Sequence, residues 1–163
     1  EVLTREIPGH WEGDLVLGKN RESAIGTLVE RTTRFLIIVP LKKKDSTTVR
    51  KAFESEFRKL PDNLKLSLTY DNGTEMAQHK TFTKNTKIKV YFAHPYSPWE
   101  RPTNENTNGL IRDYFPKGTD FNLISKKQLK EVQNQLNERP RKTLEYESPL
   151  NTISRLYMNQ NFI

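Results

Sequence analysis

The chain predicts an α/β fold built on a five-stranded mixed sheet, three antiparallel strands followed by two parallel ones, flanked by helices. Three observations predict it. The first third alternates polar and apolar residues with a period of two and is broken by short polar links. Helical spacing replaces that period between Asp45 and Leu60. Beyond Pro61, strand-like runs and helix-like stretches take turns, the pattern of parallel strands joined by crossovers.

Each element can be justified in order. Residues 10 to 18 place Trp11, Gly13, Leu15 and Leu17 on one face and Glu12, Asp14, Val16 and Gly18 on the other. Ala24 to Glu30 and the apolar run Phe35 to Val39 follow, and links as short as Gly18-Lys19-Asn20 and Arg31-Thr32-Thr33 imply an antiparallel meander. Asp45-Ser46 offers an N-cap, after which Val49, Ala52, Phe53, Phe57 and Leu60 recur at helical spacing until Pro61 ends the pattern. A fourth strand is expected over about Lys65 to Tyr70 and a fifth over Lys87 to Ala93, with a short helix around 75–85 between them. Thr103 is expected to cap a helix through Tyr114, and Ser125 another through Asn137, whose Leu129, Val132 and Leu136 form a buried stripe. Pro116 to Asp120 is a loop, and the last dozen residues are expected to form a flexible tail. This order is that of an RNase H-like fold. In it the first strand is central and the fourth pairs beside it, setting Asp14 next to the strand end at Asp71.

At 163 residues, with 34% hydrophobic and 10% aromatic content, the chain suits one folded, rather polar domain over residues 1–163. Its 27 Lys and Arg against 20 Asp and Glu leave a formal charge of +7, which favours a polyanion such as nucleic acid over an acidic membrane surface. No apolar run approaches the roughly 20 residues that span a bilayer, so no membrane partner is expected. The absence of cysteine excludes disulfides and thiolate metal sites. The chain starts at Glu1 rather than Met, as an excised domain would.

Three carboxylates stand apart from the general charge. Asp14 lies among Leu15, Val16 and Leu17, where a carboxylate is costly to bury without a partner. Asp71 follows the run Leu64 to Tyr70, and Glu105 lies in a helix-like stretch with 33 residues between the two. Taken singly, Asp71-Asn72-Gly73 reads as a hairpin turn and Glu105 as an acid favoured by a helix N-terminus. Taken together, acids from two strands and a helix can converge on hard cations. With no thiolate and three scattered histidines, at 10, 79 and 94, oxygen ligands suit Mg²⁺ or Mn²⁺ rather than zinc.

The segments Gly9-His10-Trp11-Glu12-Gly13-Asp14-Leu15, Ser23 to Phe35, Asp71-Asn72-Gly73-Thr74-Glu75-Met76-Ala77 and Asn104-Glu105-Asn106-Thr107-Asn108-Gly109-Leu110 resemble the catalytic core of DDE transposases of the bacterial "insertion sequence 30" family. Tyr114 to Asp120 and Leu136 to Leu144 continue the resemblance. It implies a retroviral-integrase-like, RNase H-like polynucleotidyl transferase that cleaves and joins DNA strands in transposition. Its catalytic and metal-binding triad is carried onto Asp14, Asp71 and Glu105, which hold two Mg²⁺ (or Mn²⁺) ions. Such ions, roughly 3.5–4 Å apart, activate the attacking oxygen and stabilise the leaving one. Glu12, on the same strand face, and Glu75, near Asp71, are spare acids, and Asp14 is preferred over Glu12 on the motif match. The resemblance further implies DNA partners (element ends and target), a homo-oligomer assembled on that DNA, and a bacterial, cytoplasmic, nucleoid-associated location. The family's end-reading N-terminal region is expected to lie outside these residues. Two positions depart from its pattern: Pro102 where glycine is common, and His94 where an acid is frequent.

Candidate DNA contacts are Arg101, Asn108, Arg112, Arg139, Arg141 and Lys142, whereas Lys42 to Lys44 read better as solvated charge than as phosphate contacts. Glu105, Asn108, Gly109 and Arg112 share one helix face, so Arg112 either reaches a phosphate or makes a surface ion pair. Gly109 leaves room for DNA or for close helix packing. Pro95 to Arg101 is an extended loop whose aromatics either stack on bases or tie the loop down. Two other functions fit the same residues: a structure-selective RNase H-like nuclease that never joins strands, and a catalytically dead DNA-binding remnant of a mobile element.

Overall fold

The computed structural model describes residues 7–71, 76–93 and 102–161, apart from the side chains of 102, 104, 105 and 159–161. The strands are β1 (His10–Leu17), β2 (Ala24–Glu30), β3 (Leu36–Pro40), β4 (Ser67–Tyr70) and β5 (Lys89–Phe92). The helices are α1 (Ser46–Arg58), α2 (His79–Thr86), α3 (Pro102–Tyr114), α4 (Lys126–Glu138) and α5 (Pro149–Asn161). The sheet order is β3-β2-β1-β4-β5, with β1, β2 and β3 mutually antiparallel along the meander and β4 parallel to both β1 and β5. The expected RNase H-like arrangement is therefore observed, with β1 at the centre.

Strand alternation divides the core in two. Trp11, Leu28, Ile37, Val39, Leu68 and Tyr70 pack against Val49, Phe53 and Phe57 of α1 and Phe82 of α2. Val16, Ile25, Val29, Leu36 and Ile38, on the opposite face, meet Ile111 of α3 and Leu129, Val132 and Leu136 of α4. Close approach on the first face depends on glycine. A Cβ at Gly26 would lie 2.6 Å from Phe53 Cε1, so the bare backbone lets α1 settle onto β2.

Helix boundaries follow capping chemistry. Asp45 accepts from Thr48 N at 3.1 Å to start α1. Ser125 and Gln128 form a reciprocal capping box at α4. Two expectations are corrected. Thr103 is not a cap, because α3 begins one residue earlier and Thr103 is fully buried in its first turn. Proline suits that first helical position, where no N–H is needed. The last dozen residues are not a flexible tail through residue 161 but most of α5, with Thr152 and Ile153 buried. Pro149 again opens the helix, and Ser148 Oγ accepts from Asn151 N at 3.2 Å.

The outer edge of β3 is closed by side chains. Gln133 Oε1 accepts from Ile38 N at 2.9 Å, while Asn137 accepts from Leu36 N and donates to Leu36 O, each at 2.8 Å. Two buried amides of α4 thus take the place of a neighbouring strand.

Candidate active site

The register of β1 on β4 is anchored below the acids. His10 Nδ1 lies 2.7 Å from Ser67 Oγ, Trp11 Nε1 donates to Leu64 O at 2.7 Å, and Leu66 N donates to Gly9 O at 2.8 Å. Ser67 stands opposite His10, Leu68 opposite Trp11 and Thr69 opposite Glu12. Two further steps in this parallel register bring Asp71, the first residue beyond β4, level with Asp14 on the same face. Gly13 keeps the two strands close, since a Cβ there would lie 2.9 Å from Tyr70 Cδ2 and 3.0 Å from Leu68 Cδ1.

Asp14 is half-buried and oriented on both oxygens. Its Oδ1 accepts from Leu15 N at 2.8 Å, and its Oδ2 accepts from Asn108 Nδ2 at 3.0 Å. Thr27, opposite Asp14 on β2, points its hydroxyl at Asn108 Oδ1 from 3.5 Å and so favours the amide orientation that turns the NH₂ toward the carboxylate. Glu105 lies on the same helix one turn before Asn108, and its side chain is outside the described residues. Arg101, His94, Glu75 and the Pro95 to Arg101 loop are outside them as well. Among the described side chains no group of three metal-ligating residues comes together.

Glu12 has a different use. Its Oε2 lies 3.0 Å from Arg31 Nε, and both side chains are buried, at 0% and 4% exposure. A carboxylate neutralised this deeply is a structural ion pair directly beneath Asp14 on the same sheet face. Glu30, next to Arg31, is also buried and binds turns together: it accepts from Gly9 N at 2.9 Å, Thr32 N at 3.0 Å, and both Thr33 N and Thr33 Oγ1 at 2.8 Å. Burial raises its pKa above the ordinary 4.5, against the lowering effect of those hydrogen bonds.

The expected DNA contacts are distributed differently from one another. Asn108 faces Asp14, and Arg112 donates to Leu17 O at 2.9 Å and Phe115 O at 3.4 Å, closing the end of β1. Gly109 is exposed, and a Cβ there would meet nothing within 4 Å, which rules out close packing as its purpose. Arg139 donates to Tyr114 Oη at 2.9 Å and stands 5.9 Å over that ring. Arg141 donates to Leu136 O at 3.2 Å, and burial, followed by the neighbouring charges of Arg139 and Arg34, lowers its pKa. Lys142 is exposed on a short 3-10 turn. Arg34 joins this region by donating to Thr103 Oγ1, two residues before Glu105.

Likeness to known proteins agrees with that geometry. The family described as "Integrase core domain" matches residues 5–98. The chain belongs to the integrase core domain family. This integrase core is 53% identical, over 94% of its length, to the transposase InsI for insertion sequence element IS30A of Escherichia coli, of which it covers 40%. It is 44% identical, over 98% of its length, to the transposase for insertion sequence element IS1086 of Cupriavidus metallidurans, of which it covers 47%. The chain therefore spans less than half the length of these curated relatives. Among solved structures, the catalytic core domain of BIV integrase superposes with a TM-score of 0.71 at 16% identity, covering 93% of this chain and 97% of that one. The HTLV-2 integrase catalytic core domain in complex with magnesium gives 0.67 at 18% identity, covering 90% and 97%. At such identities these two show the fold alone.

The family match ends before α3, so Glu105 and Asn108 belong to a part of this integrase core that it does not cover. The orienting partner of Asp14 was missed in the sequence, where Asn108 read as a DNA contact. Its spacing from Glu105, three residues on one helix, was the available signal.

Proposed function

We propose that this chain is the catalytic core of an insertion-sequence transposase that cleaves DNA strands at element ends and joins them to target DNA. The observation that carries the reading is the meeting of β1, the end of β4 and α3: Asp14 and Asp71 share a level of the sheet, and Asn108 ties the helix of Glu105 to Asp14. Hard carboxylate oxygens at two strand positions, one already oriented by an amide, fit Mg²⁺ or Mn²⁺. Asp14, Asp71 and Glu105 would together hold the ions. Bound there, the ions supply Lewis-acid stabilisation of an in-line displacement at phosphorus and lower the pKa of the attacking water or 3′-hydroxyl.

The chain's own groups do the rest. Leu15 N and Asn108 hold the Asp14 carboxylate in one orientation, and the Glu12–Arg31 pair keeps a second carboxylate from competing beneath it. Exposed Lys142 and the Arg139–Arg141 region contribute phosphate contacts that position DNA without reading bases. Reading of the element ends is assigned to a region outside residues 1–163, assembly on DNA to a homo-oligomer, and the location to the bacterial cytoplasm and nucleoid. Among the described residues no helix is long and apolar enough to cross a membrane.

Asp71→Asn in the full-length protein tests the reading. The side chain stays nearly isosteric but loses a charge and a strong ligand. DNA affinity without metal should hold or rise, whereas Mg²⁺-dependent nicking and joining of labelled element-end DNA should fall by roughly several orders of magnitude. Gel-shift titration, cleavage assays and circular dichroism read the three quantities. Undiminished cleavage by a folded Asp71→Asn protein sinks the triad, cleavage without joining by the wild type identifies the nuclease, and no cleavage with any divalent metal identifies the remnant.

A further inference from the structure

A cleft of about 800 Å³ runs along the β3 edge, and the acid site makes no use of it. α1 borders it from one face of the sheet and α4 from the other. Its charged lining consists of Lys42, Lys59, Lys126, Lys127, Lys130 and Glu56. All five lysines are exposed. Glu56 lies 3.4 Å from Lys59, so the single carboxylate is already matched. Five cations less one anion put a net charge of four on this cleft, in a chain whose formal total is +7.

Two kinds of occupant are disfavoured by the surroundings. A partner strand finds the edge taken, because Gln133 and Asn137 hold the N–H groups of Ile38 and Leu36, and Pro40 has none to offer. A second copy across a two-fold axis would set lysines against lysines. A polyanion suits both sides of the cleft at once. Lysine ammonium groups are compact point charges that meet phosphates without selecting a base edge.

We infer that this cleft is a second DNA-binding face, taking the sugar-phosphate backbone of duplex DNA regardless of sequence. It lies two strands from β1, on the order of 10 Å across the sheet at the usual strand spacing. The inference rests on the reading of the chain as DNA-acting, but it needs neither the carboxylates nor metal. A core so equipped grips DNA at its flank while the acids address the scissile phosphate.

The test is binding of a labelled duplex of arbitrary sequence by this chain, without divalent metal, across a salt series. Lys126→Ala/Lys127→Ala/Lys130→Ala is compared with Lys51→Ala/Lys80→Ala/Lys84→Ala, which removes the same charge from exposed positions elsewhere. The cleft variant should flatten the slope of log K against log salt by about 0.9 for each phosphate no longer neutralised, and the control should not. Equal slopes for wild type and the folded cleft variant, equal flattening in both variants, or no duplex binding by wild type would each overturn it. Preference for polyglutamate over duplex would also overturn it, in favour of an acidic protein segment. Because no cleavage is measured, failure here leaves the Asp71→Asn result standing on its own.

Discussion

Asn108 on α3 donates to Asp14 Oδ2 on β1 at 3.0 Å. One hydrogen bond thereby joins the central strand to the helix of the third acid and fixes which lone pairs of the carboxylate remain for a ligand. Thr27 completes the chain of contacts from β2.

Replacing Asn108 by Ala should leave the fold intact, since its side chain is only half-buried. Metal affinity or cleavage should fall by roughly 10- to 100-fold, the usual effect of losing a group that orients a ligand. Mn²⁺ titration calorimetry and a cleavage assay measure it, and Asn108→Asp should do worse because it sets a like charge beside Asp14. Unchanged values would make the contact incidental.

Glu12 and Asp14 should separate cleanly. Glu12→Gln breaks a buried ion pair and should destabilise the protein by about 3–5 kcal/mol, because the Arg31 charge stays buried. The folded fraction should still bind Mn²⁺. Asp14→Ala should do the reverse, abolishing Mn²⁺ binding at little cost in stability. Urea unfolding and calorimetry on both variants decide the matter.

Stability should respond to acid through two carboxylates of opposite sign. Glu30 has a raised pKa in the folded state, so its contribution is fully present below the ordinary value of 4.5 and is lost as pH rises through the raised one. Asp45 has a lowered pKa, mainly from the Thr48 hydroxyl and N–H, so its contribution is present above 3.8 and is lost as pH falls through the folded value. Urea midpoints across an acid series should show Glu30→Gln removing the first dependence and Asp45→Ala the second. Glu30→Gln should also be less stable throughout, since an amide cannot accept from every donor that surrounds Glu30.

Asn137→Ala should cost about 2–4 kcal/mol, because it leaves both Leu36 N–H and C=O buried and unpaired. The variant should also self-associate through the opened strand edge. Denaturation and sedimentation velocity test the two effects together.

The basic cluster should divide by role. Lys142→Ala should flatten the salt slope of DNA binding by about 0.9 with no change in stability. Arg141→Ala should lower the melting temperature as well, since its guanidinium is half-buried against Leu136 O. A stable Arg141→Ala protein with an altered salt slope would reassign that residue to DNA alone.

Much of this architecture was legible from local signals. The alternation of Trp11, Gly13 and Leu15 against Glu12 and Asp14 marked the two faces of β1, and Asp45 and Ser125 marked helix starts at the correct residues. Proline at a first helical position was the overlooked signal at both Pro102 and Pro149. What stayed hidden depends on pairing across the chain. Glu12 meets Arg31 only because β1 folds back on β2 in one register, and Gln133 and Asn137 meet β3 across about a hundred residues of sequence. The lysines of α4 form no motif in the sequence, and only the fold sets α1 on the other side of their cleft.

Side chains on a strand alternate, so a slip of β4 by one residue against β1 would carry Asp71 through to the opposite face, among Phe53 and Phe57. The stretch from Lys59 to Leu66, between α1 and β4, is therefore a measuring rod as well as a connector. Its anchors, Leu64 O to Trp11 and Leu66 N to Gly9, set where counting begins. A single inserted residue beyond Leu66 would exchange the two faces of β4, taking Leu68 and Tyr70 out of the core as it takes Asp71 away from Asp14. The length of that segment therefore sets core packing and the pairing of the two acids at once.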